Sequence, residues 1–377
     1  MTESYFEVIK QHSMPFVLWQ LYFPKVFKEN GGFDIVIGNP PYGAKISAND
    51  KKIYQRIFKA TKTITGKQKG STDTFALFIE QGLNLTSKNG IINLIVPMSV
   101  VASDSMTALH NLIESQCEKI FVASFAERPK QIFDSACVKT SIILLKKTGT
   151  PLRNLYTTKL VKRTSDDIQE IINNLQFVDS FEYKIFGRYP KIGTEFERDI
   201  LKKLFLTGKK LENYRVLNSE HKIYYRSSGG RYYKVITPYS TGSSKEVGFP
   251  VSIKNLKILS AILGTSLFWF YQQAYTDCLD LKQSEISSFP VPNLEKIEPS
   301  KLQNLISAYD EYLQDIEKNV IVHKSSSYNV DSFKEYKIQK SKKYIDRLDD
   351  LVGEMYNLTK EQVDFIKNFE INVRISE

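Results

Sequence analysis

The chain has 377 residues, of which 42% are hydrophobic and 12% aromatic, a length and composition typical of two or three domains with real cores. Its three cysteines and four histidines lie far apart, which excludes a disulfide framework and zinc-ligand spacing. Lys and Arg exceed Asp and Glu by 52 to 42, a net charge of +10 that favours a polyanionic partner such as nucleic acid. Codon bias towards lysine is the alternative source of this charge.

The chain lacks the signals of a membrane protein. The longest apolar runs, 91–102 and 258–271, are interrupted by polar residues or proline, and neither reaches the roughly 18 residues of a membrane span. The first residues, Met-Thr-Glu-Ser, have no cationic and then apolar character of a signal peptide. We therefore expect a cytoplasmic protein without a membrane partner.

Strand and helix patterns alternate between residues 33 and 147. Helical spacing indicates one helix that begins near Asp73 and a second over 105–116, and Ser-Lys-Asn-Gly at 87–90 predicts a turn. This alternation predicts an α/β fold with a mostly parallel sheet and functional loops after its strands. Apolar runs predict the strands at 33–37, 91–96, 119–125 and 140–145.

The character of the chain changes after residue 150. One helix is predicted near 168–175, and the turn sequence at 227–230 between two tyrosine-rich runs indicates a hairpin. Thr359 and Gln362 have the spacing of a capping box for a last short helix. We predict a sheet domain (1–150), a connector (151–193), an α+β module (194–295) and a helical tail (296–377).

The tetrapeptide Asn39-Pro40-Pro41-Tyr42 directly follows the first predicted strand, where an α/β sheet places its ligand crevice. Consecutive prolines hold a loop extended, and neither can donate a backbone hydrogen bond. The Asn39 amide oxygen and the proline carbonyls are therefore preset acceptors beside an aromatic ring, which suits a planar group that bears an NH₂. The alternative is an ordinary turn, since Asn-Pro opens many turns.

The run from Gly31 to Tyr42 resembles the fourth motif of amino-group methyltransferases that use S-adenosyl-L-methionine. More narrowly, it is similar to adenine-specific (N6) DNA methyltransferases of the Type IIG restriction–modification kind. The resemblance continues through 73–78, 89–97 and 132–136 and, more weakly, into 258–292. It implies a partial Rossmann-like methyltransferase sheet as the catalytic domain, with a target-recognition domain at 194–295 and the helical tail after it.

This resemblance implies methyl transfer to the N6 amine of an adenine that is flipped out of DNA, with no metal. Asn39 and the Pro40 carbonyl would accept hydrogen bonds from the amine, and Tyr42 and Phe133 would stack on the two faces of the base. Phe78 occupies the position where the family contacts its cofactor. For Phe133 and Phe78 the alternative is packing in the core.

Cationic and aromatic residues alternate across the predicted hairpin. Arg226, Arg231 and Lys234 stand among four tyrosines, a pattern suited to phosphate contacts and groove insertion in DNA. The alternative is an amphipathic hairpin whose tyrosines pack on the tail helices.

The cofactor motif of this family, Gly-x-Gly after a first strand, is absent. No two of the 18 glycines are separated by a single residue, and only 38 residues precede Asn39, too few for two strand–helix units of about 30 residues each. We therefore expect the cofactor site on a second polypeptide or a missing amino-terminal half. We also expect an apolar, unfinished sheet edge near Phe78 and Pro97, partly covered by Phe16, Trp19, Phe23 and Phe27.

The sequence predicts a site-specific adenine DNA methyltransferase of a restriction–modification or phage-defence system. One alternative is a non-catalytic DNA-binding module with a vestigial tetrapeptide. Another is a protein glutamine methyltransferase, because the same tetrapeptide also grips a carboxamide NH₂. Neither the +10 charge nor the aromatic module after Thr194 is required by a protein substrate.

Overall fold

A computed structural model describes residues 17–43, 45–64, 70–133, 137–164, 167–185, 187–228, 235–324 and 332–374. The helices in these ranges are α1 (Trp19–Tyr22), α2 (Pro24–Asn30), α3 (Ala48–Ile57), α4 (Thr74–Leu85), α5 (Ser99–Ala102), α6 (Thr107–Gln116), α7 (Ile168–Asn173), α8 (Glu195–Phe205), α9 (Ile253–Leu263), α10 (Ser266–Tyr275), α11 (Gln283–Ser287), α12 (Pro299–Glu317), α13 (Lys342–Met355), α14 (Lys360–Asn368) and α15 (Ile371–Arg374). The strands are β1 (Phe33–Gly38), β2 (Thr86–Pro97), β3 (Cys117–Phe125), β4 (Thr140–Lys147), β5 (Asn154–Thr157), β6 (Val178–Asp179), β7 (Lys209–Lys210), β8 (Lys222–Arg226), β9 (Ile236–Thr237), β10 (Glu246–Pro250), β11 (Pro290–Val291), β12 (Val320–Lys324) and β13 (Ser332–Tyr336).

A six-stranded mixed sheet in the order β1-β2-β4-β3-β5-β6 forms the first part of the fold. β1 pairs parallel with β2, and β3 pairs parallel with β5, whereas β4 runs antiparallel between β2 and β3. β6 also pairs antiparallel with β5, so three of the five pairings in the described sheet are antiparallel and the prediction of a mostly parallel sheet is wrong. The described residues between β3 and β4 contain no helix, and strands that return without a crossover helix pair antiparallel.

All four strands predicted between 33 and 147 are present, but β2 begins earlier than predicted, at Thr86. The turn predicted at 87–90 is therefore wrong. The backbone absorbs the Asn-Gly pair as an irregularity inside the strand, where Asn89 has a φ of 69° and the register with β1 shifts between Phe33 and Ile35. Such an irregularity bends a strand without ending it.

Two hydrophobic cores lie in the described ranges. In the first, α4 and α6 pack on the sheet; the second joins the predicted recognition module to the tail helices α12, α13 and α14. The sheet continues past residue 150, because β5 and β6 fall in the predicted connector. The domain limits at 150, 193 and 295 stay a prediction.

The second part of the fold contains the predicted elements and one that was missed. β8 pairs antiparallel with β9, Tyr225 opposite Ile236, whereas the predicted turn at 227–230 stays a prediction because 229–234 lie outside the described residues. Thr359 and Gln362 form the predicted capping box of α14. The tail also carries an antiparallel hairpin, β12–β13, which was not predicted. The predicted fold class is confirmed: an α/β fold with a partial Rossmann-like sheet, an α+β module and carboxy-terminal helices.

The two cores meet at Arg188, whose side chain is 2% exposed. Its guanidinium lies 2.7 Å from Asp104, before α6, and 3.7 Å from Glu285 on α11. Gly187, with a φ of 75°, allows this close approach, since a Cβ there would lie 2.7 Å from the Asp104 Cα. Burial raises the pKa of Glu285 to about 6, while Arg188 opposes that rise. A charged cluster therefore lies inside the junction between the cores.

Candidate functional site

The tetrapeptide at 39–42 begins where β1 ends. Gly38, the last residue of β1, pairs with Leu94, so the loop lies beside the carboxyl-terminal half of β2. Pro40 is buried, whereas Asn39 is exposed. The loop is thus anchored through a proline while the amide of Asn39 faces solvent.

Two hydrogen bonds fix this loop to its neighbours. The Tyr42 hydroxyl donates to the Ile95 carbonyl of β2 at 2.9 Å, and the Thr74 hydroxyl donates to the Pro41 carbonyl at 2.6 Å. Burial raises the pKa of Tyr42 to about 12, so the phenol remains a donor at neutral pH. The loop is therefore held to the next strand and to the first residue of α4.

These contacts reduce the number of open acceptors in the loop. The Pro41 carbonyl is engaged by Thr74. Across the described ranges, neither the Asn39 side chain nor the Pro40 carbonyl forms a hydrogen bond. Two acceptors, the amide oxygen of the exposed Asn39 and the carbonyl oxygen of the buried Pro40, are therefore unpaired among the described residues.

Tyr42 and Phe133 lie together, with ring centroids 6.4 Å apart and ring planes inclined by 62°. This is an edge-to-face contact. A base stacked between the two rings needs parallel planes about 7 Å apart, twice the stacking distance of about 3.4 Å, so one ring has to turn before a base can enter. Phe133 is half-buried and belongs to neither core of the described residues, which argues against the core-packing alternative.

Phe78 is 50% exposed on α4, while its neighbours Phe75 and Ile79 pack into the first core. The core-packing alternative is therefore wrong for Phe78. Its contact with a cofactor stays a prediction.

Among the described residues no strand pairs with the outer edge of β1, and one face of this strand is exposed and apolar. β1 ends the sheet, with Ile35 63% and Ile37 75% exposed, and Phe78 lies on the helix that follows the loop. The predicted apolar edge strand is thus present among the described residues, whereas its unfinished character and its position near Phe78 and Pro97 stay predictions. Phe16 lies outside the described residues, and the rings of Trp19, Phe23 and Phe27 pack around Phe33 at the start of β1.

The absence of a separate cofactor loop for S-adenosyl-L-methionine is a feature of the sequence, which contains no Gly-x-Gly. Proteins hold such nucleoside cofactors with a glycine turn and an acidic group on the ribose. Ile37, before the loop, and Phe78, one turn beyond Thr74 on α4, are exposed and apolar, whereas Asp73, the residue before Thr74, is exposed and acidic.

The predicted DNA-contact residues are only partly described. Arg226 ends β8 in an exposed position, where its Nε donates to the Ser228 carbonyl at 2.9 Å. Arg231 and Lys234 lie outside the described residues. Tyr225 is buried in the second core, and burial raises its pKa to about 12, so the packing alternative holds for this tyrosine.

His110 is buried and packed against its neighbours. His110 is stacked on Tyr189 at 4.0 Å, its Nε2 lies 2.7 Å from the Val100 carbonyl oxygen, and burial lowers its pKa to about 4. In the part of the chain that the structure describes, no His, Cys, Asp and Glu cluster could hold a metal ion. None of the helices described there has the length and apolar character to cross a membrane.

Residues 7–133 match the family model described as Eco57I restriction-modification methylase. This part of the chain is similar to restriction–modification methylases. The matched segment contains β1, the tetrapeptide loop and Phe133. The resemblance to Type IIG-like methyltransferases that the sequence predicted is thereby confirmed.

Two curated relatives are methyltransferases of restriction systems. The Type II methyltransferase M.AccI of Acinetobacter calcoaceticus is 25% identical over 251 residues, 63% of this chain and 39% of that protein. The Type II restriction enzyme and methyltransferase RM.Eco57I of Escherichia coli is 25% identical over 191 residues, 49% of this chain and 18% of that protein. The chain therefore spans less than half the length of the curated relatives it matches.

Among solved structures, a nuclease-deletion mutant of the Type ISP restriction-modification enzyme LlaGI in complex with a DNA substrate mimic is 15% identical. The similarity covers 55% of this chain and 22% of that chain, with a TM-score of 0.38.

Proposed function

We propose that this chain is the catalytic-loop and target-recognition part of an adenine-specific DNA methyltransferase of a restriction–modification system. The reaction transfers a methyl group from S-adenosyl-L-methionine to the N6 amine of a flipped adenine. The observation that carries this proposal is the loop after β1, with two unpaired acceptors on Asn39 and Pro40 next to Tyr42 in the chain. The match of residues 7–133 to restriction–modification methylases and the +10 charge support DNA as the substrate.

The two acceptors account for activation of the amine. Adenine's exocyclic nitrogen is a poor nucleophile, because its lone pair is delocalised into the ring. Hydrogen bonds from the NH₂ to Asn39 and Pro40 draw the nitrogen towards tetrahedral geometry and free the lone pair. The loop is already fixed by its bonds to Ile95 and Thr74, so the acceptors are preorganised and the rate gain comes from positioning and electrostatics.

The open edge of β1 is the proposed docking site of the cofactor-binding half. Its apolar residues, Ile35 and Ile37, have the exposure expected of a face that another strand and helix cover. That half belongs to a second polypeptide or to a longer form of this chain. By itself the chain is expected to show no binding of S-adenosyl-L-methionine by calorimetry, and micromolar affinity would overturn this part of the proposal.

The catalytic assignment is tested with Asn39→Ala in the complex with the cofactor-binding half. We expect kcat for methyl transfer to DNA to fall about 10²–10³-fold, as for the loss of one transition-state hydrogen bond. The Kd for DNA should stay within about twofold, because the contact acts at the reacting amine. Asn84→Ala is the matched control, since Asn84 is exposed on α4.

The alternative functions give different results in the same assay. DNA binding without methylation by the wild-type complex supports a non-catalytic module with a vestigial loop. Methylation of a protein glutamine instead of DNA supports a protein methyltransferase. Near-normal turnover by Asn39→Ala removes the catalytic role of the loop.

A further inference from the structure

We infer that Thr74 is a positioning residue, which aims the acceptors of the tetrapeptide loop and ties them to the helix that carries Phe78. This inference rests on the proposed function. Thr74 Oγ1 lies 2.6 Å from the Pro41 carbonyl oxygen, across 33 residues of sequence. This separation lies within the range of a well-formed O–H···O hydrogen bond.

The bond acts on Pro40 through the stiffness of the two prolines. The peptide between Pro40 and Pro41 is planar, and the ring of Pro41 fixes its φ near −65°. One soft torsion, the ψ of Pro41, therefore separates the tethered Pro41 carbonyl from the open Pro40 carbonyl. By holding the Pro41 carbonyl towards α4, Thr74 sets the direction of the Pro40 carbonyl.

α4 is a rigid anchor for this contact. Phe75 and Ile79 fix the helix in the first core. The side chain of Asp73, the N-cap residue, accepts from Ser71 at 2.9 Å and makes no capping bond to the helix. The Thr74 hydroxyl is likewise used outside the helix, in a tertiary bond to the loop.

The same helix face presents Phe78. Residues four apart lie one above the other on a helix, so Phe78 stands one turn beyond Thr74, with half of its surface exposed. The acceptor loop and this ring are therefore attached to one rigid element. A single hydroxyl thus sets the position of the amine site relative to the proposed cofactor face.

The first test uses the full chain alone and needs no activity. Thr74→Val keeps the shape of the side chain and removes the donor, Thr74→Ser keeps the donor, and Thr63→Val is the control at an exposed threonine. The amide nitrogen of Tyr42 is bonded to the Pro41 carbonyl carbon, so its NMR resonance reports the hydrogen bond to that carbonyl. We expect it to move in Thr74→Val and to stay near wild type in the other two variants.

The second test measures positioning in the complex with the cofactor-binding half. Thr74→Val is expected to lower kcat roughly 2- to 10-fold, the range for one hydrogen bond, with an unchanged KM for DNA. Thr74→Ser is expected to restore kcat. If Thr74 had only a structural role, kcat would not fall independently of KM in Thr74→Val, and Thr74→Ser would not restore kcat.

The outcomes separate this inference from the proposed function. An unmoved Tyr42 resonance, or equal kcat in Thr74→Val and wild type, overturns the role of Thr74 and leaves the methyltransferase proposal intact. A wild-type complex that does not methylate DNA counts against the proposed function. In that case a shifted Tyr42 resonance would still show the hydrogen bond between Thr74 and the Pro41 carbonyl, but the proposed role of Thr74 in positioning the acceptors would be rejected.

Discussion

The open edge of β1 predicts that one charge will change the association of this chain more than its stability. Ile37 is 75% exposed. Since full burial of an isoleucine contributes about 1.5–3 kcal/mol, the monomer gains only about 0.4–0.8 kcal/mol from this side chain. We therefore expect Ile37→Lys to lower the free energy of unfolding by less than about 1 kcal/mol.

Association through the same edge should respond more strongly. Association that also covers this face of β1 would bury up to the remaining isoleucine surface, a gain of at most about 1–2 kcal/mol. An edge lysine also opposes strand pairing. We expect the chain alone to self-associate through this edge, and Ile37→Lys to weaken that association about tenfold or more.

The assay is sedimentation velocity over a concentration series, with urea unfolding of the same samples. Ile253→Lys is the matched control, because Ile253 is 63% exposed at the start of α9, on the second core's side of the fold. Equal association of the two lysine variants would refute the edge argument. A loss of more than about 2 kcal/mol of stability in Ile37→Lys would show that this residue is packed in the folded chain.

Three further predictions concern the base, the DNA surface and pH. Tyr42→Ala should weaken capture of the flipped base by about 1–3 kcal/mol of stacking, measured as a lower fluorescence enhancement of 2-aminopurine at the target position; unchanged fluorescence would leave Tyr42 a packing residue. Replacing Arg226 and Arg231 together by alanine should reduce the slope of log K against log salt by about one to two units, and an unmoved slope would place both off the DNA path. Burial raises the pKa of Asp349 to about 7, well above its value of about 3.9 in the unfolded chain. Between these two pKa values the folded state binds more protons than the unfolded state. The free energy of unfolding therefore falls as the pH rises from about 4 to about 7. Asp349→Asn keeps an oxygen for the Ser266 amide and should flatten this dependence in urea titrations at pH 5 and 8; an unchanged slope would assign it to another group.

The sequence was sufficient to predict those strands whose burial requires a continuous run of apolar residues. The runs that became β1, β3 and β4 are β-branched or aromatic, so strands were predicted close to their observed bounds. An apolar run does not encode strand direction, which is why the antiparallel course of β4 was missed. The β12–β13 hairpin did have a signal, the β-branched run Val320-Ile321-Val322, which the helical stripes on either side obscured.

The candidate site divides in the same way. The loop after β1 follows from local sequence, because a strand followed by Asn-Pro-Pro can only continue as an extended turn. The hydrogen bond from Thr74 to the Pro41 carbonyl joins residues that are 33 positions apart in the sequence. The edge-to-face contact between Tyr42 and Phe133 spans 91 positions. No local sequence pattern marks either pair. The number of unpaired acceptors and the edge-to-face arrangement of Tyr42 and Phe133 could therefore be found only from the three-dimensional structure.

The ion pairs of Arg188 predict that the two cores keep a fixed relative position. A buried charge is costly unless it is paired, and removing one partner of such a pair costs about 3–5 kcal/mol. Arg188 is held between Asp104, beside the first core, and Glu285, which is fully buried against the second. Sliding or rotation at this junction would leave a guanidinium or a carboxylate buried without its partner. The proposed methyltransferase would have to deliver a flipped base to its acceptors within about an ångström, and we propose that this ion cluster holds the recognition module in a fixed position relative to the loop.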